Sequence, residues 1–91
     1  MEYEARIAKL DSCINLWFEK TGKLEARPKD LMEHLIECNI YPNDDPKRSG
    51  KRLREDLRNL LSENRLHIIS TLDPVYTKST TQWYFRRGLK K

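Results

Sequence analysis

Long apolar runs are missing from this chain. No stretch approaches the roughly 18 consecutive apolar residues that a membrane-spanning helix needs, so none is expected. The opening MEYEARIAKL is acidic and amphipathic, unlike a signal or transit peptide, and the expected location is cytoplasmic. Cysteine is scarce, with only Cys13 and Cys38. Two thiols without close spacing make neither a disulfide framework nor a zinc ribbon, and reduced core thiols are expected. His34 and Cys38 stand four apart on a predicted helix and could share a metal. A structural zinc needs four ligands, however, and only Cys13 and His67 remain of the soft types. No metal and no cofactor is therefore expected. Catalytic signatures are absent too. There is no G-x-x-x-x-G-K-[ST], and Glu37, His34 and His67 form no recognisable acid–base arrangement. Ser70 and Ser79 sit in no nucleophile motif, and Tyr76 and Tyr84 lack the Arg-His-Arg companions of a recombinase tyrosine. The sequence predicts no enzyme and no small-molecule substrate. Internal repeats and low-complexity segments are also missing.

What the chain has is charge. Its 91 residues allow one domain with one small core. Charged residues make up 35% of it, above the usual level of about 25%. The formal net charge is +4, but distribution matters more than the total. Residues 1–26 hold four basic and five acidic side chains, whereas residues 27–91 hold fourteen and nine. The basicity belongs to the later segments.

Its centre is Asp45–Asn64, which reads as one amphipathic helix. Leu53, Leu57, Leu60 and Leu61 form an apolar stripe at helical period. Arg48, Lys51, Arg52, Glu55, Asn59 and Ser62 lie opposite, with Lys47, Arg54 and Arg58 widening the basic surface on its flanks. Between Lys47 and Arg58 six cations stand against Glu55 and Asp56. Basic residues in a first helical turn oppose the helix dipole, and an anion such as phosphate docked there would reverse the sign. The start is ambiguous. Asp45 could cap it with Pro46 in first position, or Ser49 could cap a later start. Gly50 favours the later one, since glycine inside a helix costs about 1 kcal/mol. Gly50 could also let a phosphate approach the backbone.

Two helices precede this one. Residues 2–20 carry Tyr3, Ile7, Leu10, Ile14, Trp17 and Phe18 on one stripe, ended by Gly22. Residues Pro28 to Cys38 carry Leu31, Met32, Leu35 and Ile36, with proline and Asp30 suited to the first turn. Lys23–Ala26 between them could form a short edge strand. Asn39 suits the end of the second helix, and Ile40 and Tyr41 are expected to tuck onto the core. After Asn64 the pattern turns β-like at Arg65–Thr71 and again at Thr80–Arg86. The polar loop Leu72–Ser79 joins them, with Asp73–Thr80 expected to be mobile. Trp17, Phe18, Leu31, Leu35, Leu57, Leu60, Leu61 and Ile68 are the predicted core.

The order helix, short strand, helix, helix, strand, loop, strand resembles the winged helix-turn-helix superfamily over nearly the whole chain. The resemblance implies a mainly α, α+β domain over residues 1–91: a recognition helix at about 46–64, a wing at about 65–87 and a basic tail at 88–91. A narrower resemblance rests on Pro46-Lys47-Arg48-Ser49-Gly50-Lys51-Arg52-Leu53-Arg54. It is similar to winged-helix modules at the C-terminal ends of phage and mobile-element primase-helicases. That likeness implies an accessory module, with the rest of a larger replication protein as a partner.

Duplex DNA is the expected partner. Lys47, Lys78, Arg86 and Arg87 are candidates for phosphate contacts, and Tyr76 falls with Lys78 in the wing. Arg48, Lys51, Arg52, Glu55 and Asn59 are candidates for base edges, and Arg58 is a further nucleic-acid contact. Arg48, Lys51 and Arg52, near the start of the helix, are expected to outweigh Arg58, which is placed toward its flank. The alternative is a winged-helix protein-interaction module, for which the mixed charge of Glu55 and Asp56 among arginines suits a salt-bridged interface.

Overall fold

The computed structural model describes residues 2–88. Helix α1 (Tyr3–Thr21) is followed by strand β1 (Glu25–Ala26) and helices α2 (Pro28–Glu37) and α3 (Lys51–Ser62). A 3-10 turn at Leu66–Ile68 leads into strands β2 (Leu72–Tyr76) and β3 (Thr81–Arg86). The strands form one antiparallel sheet in the order β1-β3-β2. The result is an α+β fold of three helices and a three-stranded sheet around one core. Among the described residues, no helix is long and apolar enough to cross a membrane.

The first two helices follow the apolar spacing. On α1, Ile7, Leu10, Ile14, Trp17 and Phe18 are buried, and the Trp17 and Phe18 rings meet edge to face at 5.1 Å. Gly22, at φ 70°, ends the helix and returns its N–H to the Phe18 carbonyl. Helix α2 starts on a reciprocal pair: the Arg27 N–H donates to Asp30 Oδ2 at 2.8 Å and the Asp30 N–H to the Arg27 carbonyl at 2.9 Å. Asn39, at φ 61°, turns the chain out of α2, and Ile40 and Tyr41 are buried on the core.

The third helix is shorter than the stripe suggested. It begins at Lys51, the later of the two starts, and residues 45–50 form a loop. Gly50 rather than Ser49 holds the cap position, at φ 88°. Gly50 is buried. A Cβ there would stand 3.0 Å from both the Pro28 Cβ and the Lys29 backbone nitrogen. Only glycine lets the loop close on the start of α2 at that φ. Leu53, Leu57 and Leu60 are fully buried, but Leu61, expected in the core, is 38% exposed. Asp56 occupies the buried face in its place.

The segment after α3 also departs from its pattern. Arg65–Thr71 is not a strand, although its isoleucines favour one. Asn64 at φ 57° reverses the chain, and the Arg65 N–H bonds back to the Leu60 carbonyl at 2.8 Å. Asp11 on α1 then takes both the N–H and the hydroxyl of Ser70. These bonds wind the segment tightly, so Ile69 is buried and Ile68 only half-buried. The strand is instead Leu72–Tyr76, which the turn signal of Asp73-Pro74 disguised. Pro74 is tolerated because β2 lies at a sheet edge. The Thr71 carbonyl accepts from the Arg86 N–H and the Thr77 N–H donates to the Thr80 carbonyl, so by alternation Pro74 faces the open side, where no ladder bond is lost. The hairpin loop shrinks to residues 77–80, and residues 73–76 of the expected mobile segment are paired with β3. Of the expected basic tail, residues 89–91 lie outside the described residues.

Candidate nucleic-acid interface

One of the two acids of the basic helix does not belong to its surface. Asp56 stands three residues after Leu53 and four before Leu60, on the apolar side, and is 4% exposed. Arg6 of α1 grips it with Nε on Oδ2 at 2.9 Å and Nη2 on Oδ1 at 3.0 Å. The Tyr41 hydroxyl donates to Oδ2 at 2.7 Å. Burial, followed by the Asp56 charge, pushes the Tyr41 phenol well above its ordinary range. The bond to Asp56 raises the Arg6 guanidinium. The spacing 53, 56, 57, 60 carried this signal in the sequence: a carboxylate on an apolar stripe needs a buried partner.

The loop before α3 overturns one expectation, that the Gly50 backbone is open to a phosphate. The chain's own carboxylates take the amides just ahead of the helix. Asp45 Oδ1 accepts the N–H groups of Lys47 at 2.8 Å and Arg48 at 3.0 Å, which hold its carboxyl below the usual value. Asp44 accepts the Gly50 N–H at 2.9 Å, the Asp45 N–H at 2.8 Å and the Ser49 hydroxyl. Partial burial raises the Asp44 carboxyl, but these bonds and the Arg54 charge outweigh it and the net shift is downward. The Gly50 backbone, closed against α2 and bonded to Asp44, is not open to a phosphate. The amides of 47, 48 and 50 are spent on holding the loop, which leaves the Lys47 and Arg48 side chains exposed.

The remaining expected residues divide by side. At about 100° per residue, Lys51, Glu55 and Arg58 project opposite the buried Leu53, Asp56, Leu57 and Leu60. Arg58 therefore lies on the outward face and not toward its flank. Lys51 Nζ approaches Glu55 at 3.9 Å, a pair of little net worth in solvent. Arg52 turns toward the 43–46 linker, where its Nε donates to Asn43 Oδ1 at 3.0 Å, and Asn59 is exposed two turns further along. Lys78 is exposed in the hairpin loop. Arg86 is not held ready for phosphate. Its Nε meets Asp73 Oδ2 at 2.6 Å, its Nη1 pairs with Glu25, and the bond to Asp73 raises its pKa. It stitches the three strands together. Arg87 is exposed, with its N–H on the Leu24 carbonyl. His34 Nε2 lies 2.8 Å from the Cys13 carbonyl and 3.5 Å from Cys38 Sγ, a packing cluster between α1 and α2.

A second basic surface was not expected. A groove of about 510 Å³ lies among the start of α2, α3 and the hairpin, lined by Arg27, Lys29, Arg54 and residues 80–83. Arg27 Nε donates to the Trp83 carbonyl at 2.9 Å, and its guanidinium lies 4.3 Å from the Tyr84 ring centre. Arg54 Nη1 donates to the Ser49 carbonyl at 2.8 Å. The three segments stand 25 or more apart in sequence, so helical spacing could not join them. No family model, curated protein or solved structure matches this chain.

Proposed function

We propose that this protein binds DNA, as a winged helix-turn-helix domain with α3 as the recognition helix and the β2–β3 hairpin as the wing. One observation carries the reading. Asp56 is turned inward onto Arg6, while Lys47, Arg48, Arg54 and Arg58 make no ion pair among the described residues. The exposed face of α3 is thus more positive than its composition, and cations without carboxylate partners are what a polyanion recruits. Lys47, Arg48 and Arg58 are the phosphate contacts of this reading, with Lys78 and Arg87 contributing from the hairpin side. Lys51 and Glu55, on the same outward row, face the base edges. Arg86 is left out because it serves the sheet. The test is affinity for duplex DNA across a salt series, which falls steeply for a binder that neutralises phosphates.

A second reading, a protein-interaction module, is favoured by one feature. Leu61, Leu66, Pro74 and Tyr76 line a groove between α3 and β2, with Tyr76 61% exposed. Under that reading DNA affinity is weak and nearly independent of salt, and Leu61→Ser leaves folding intact while abolishing partner binding.

A further inference from the structure

We infer that the groove bounded by Arg27, Lys29 and Arg54 is a binding site for a phosphate oxyanion, separate from the outward row of α3. Its lining sets it apart. Among the described residues, and against four other surface grooves, it alone brings together several Lys or Arg side chains and no carboxylate. The groove beside the 43–46 linker has Lys51 and Arg52, but also Asp44, Asp45 and Glu55. The grooves at Tyr41 and at Trp17 contain Asp56 with Glu55, and Asp30 with Glu33 and Glu37. None of Arg27, Lys29 and Arg54 makes an ion pair among the described residues. Asp44 feels the Arg54 charge, yet it is bonded to Ser49 and Gly50 and does not line the groove.

The two arginines are also held in place. Arg27 is fixed by the Trp83 carbonyl and the Tyr84 ring, and Arg54 by the Ser49 carbonyl. Gly50 lets Arg54 lie against the start of α2: a Cβ there would meet Arg54 Nη1 and the Lys29 backbone nitrogen, each at 3.0 Å. Like charges gathered in a concave space repel one another, and an anion between them relieves the repulsion. Each arginine spends one or two of its five N–H donors internally and keeps the rest for a ligand. That fork matches the oxygens of phosphate. Thr80, Thr81 and Gln82 line the same space with neutral donors. Its volume of about 510 Å³ falls in the range of small-ligand sites, about 300–1,000 Å³. Two sources share this chemistry, a nucleic-acid backbone and a free diphosphate or triphosphate.

The inference stands apart from the DNA reading, and its test does not need DNA to bind. The full chain, labelled with 15N, is titrated with pyrophosphate at low ionic strength. Saturable shifts are expected at the amides of Lys29, Thr81, Gln82 and Trp83. Lys29→Glu should weaken that binding by about tenfold or more, Lys29→Gln by less, and Lys20→Glu, in the acidic groove, should not weaken it. Displacement of pyrophosphate by duplex DNA names the backbone as the source. Displacement by adenosine triphosphate but not by duplex names a free nucleotide. Either result upholds the site. Groove amides that do not shift or do not saturate would overturn it. So would a folded Lys29→Glu and Lys29→Gln pair that bind pyrophosphate as the wild type does.

Discussion

Helix α3 has two basic sides, and they keep different company. On the linker side Arg52 bonds Asn43, and Asp44, Asp45 and Glu55 surround it and Lys51. On the hairpin side Arg54 faces Arg27 and Lys29 across a groove without a carboxylate. Both sides present lysine and arginine side chains. The difference lies in what the fold brings alongside. The linker carboxylates are local in sequence and close on backbone amides, whereas the hairpin-side cations come from distant segments. A sum of charges along the chain cannot separate the two cases.

The strongest way to break this comparison is to disturb the residue that removes a carboxylate from α3's surface. Asp56→Ala leaves Arg6 and the Tyr41 hydroxyl without their partner. Loss of one member of a buried pair costs about 3–5 kcal/mol, and the partial exposure of Arg6 places the expected loss near the lower end. Chemical denaturation measures it, and a loss within about 0.5 kcal/mol, as for a surface site, would contradict the inward role. Gly50→Ala acts on the hairpin side. A side chain at φ 88° costs about 1–3 kcal/mol, and the clash with Pro28 and Lys29 adds to it. A melting temperature equal to wild type would show that the closure of loop on α2 is not tight.

Single arginines sharpen the contrast further. Arg58→Ala should weaken duplex binding about equally across sequences and lower the salt slope by about one, and Arg52→Ala should weaken it less, because Arg52 is already engaged by Asn43. Anisotropy titrations of the two variants decide between this order and the reverse, which the position of Arg52 near the helix start had suggested. The smallest effect concerns pH. The Asp45 carboxyl is lowered by the Lys47 and Arg48 amides. Its bonds therefore add stability that is fully present above the unfolded value of about 3.9, and that is lost as pH falls through the lower folded value. The Lys47 and Arg48 amide shifts should titrate with a midpoint below about 3.9, and a midpoint at or above it would remove the latch.

The helices were readable because their information is local. Leu53, Leu57 and Leu60 repeat at helical period, and Gly50 marked the later start. The β-strand after α3 was misread for the same reason. Ile68 and Ile69 favour a strand and Pro74 opposes one, but Asp11, 59 residues away from Ser70, winds the first segment into a turn. The edge position of β2 then makes Pro74 harmless. The outward row of Lys51, Glu55 and Arg58 could be placed from the stripe once Asp56 was recognised as part of it. The groove could not, because Arg27, Arg54 and Gln82 meet only after α2, α3 and the hairpin have packed.

The proposed role of the cations that stand outside ion pairs on α3 and its leading loop is to engage the DNA backbone. Duplex affinity at two salt concentrations, for wild type and for a variant with Lys47, Arg48 and Arg58 all changed to alanine, tests it most directly. The wild type should show a steep slope of log affinity against log salt, and the variant a slope shallower by about three, with its melting temperature unchanged. Equal slopes and equal affinities for two folded proteins would contradict the claim.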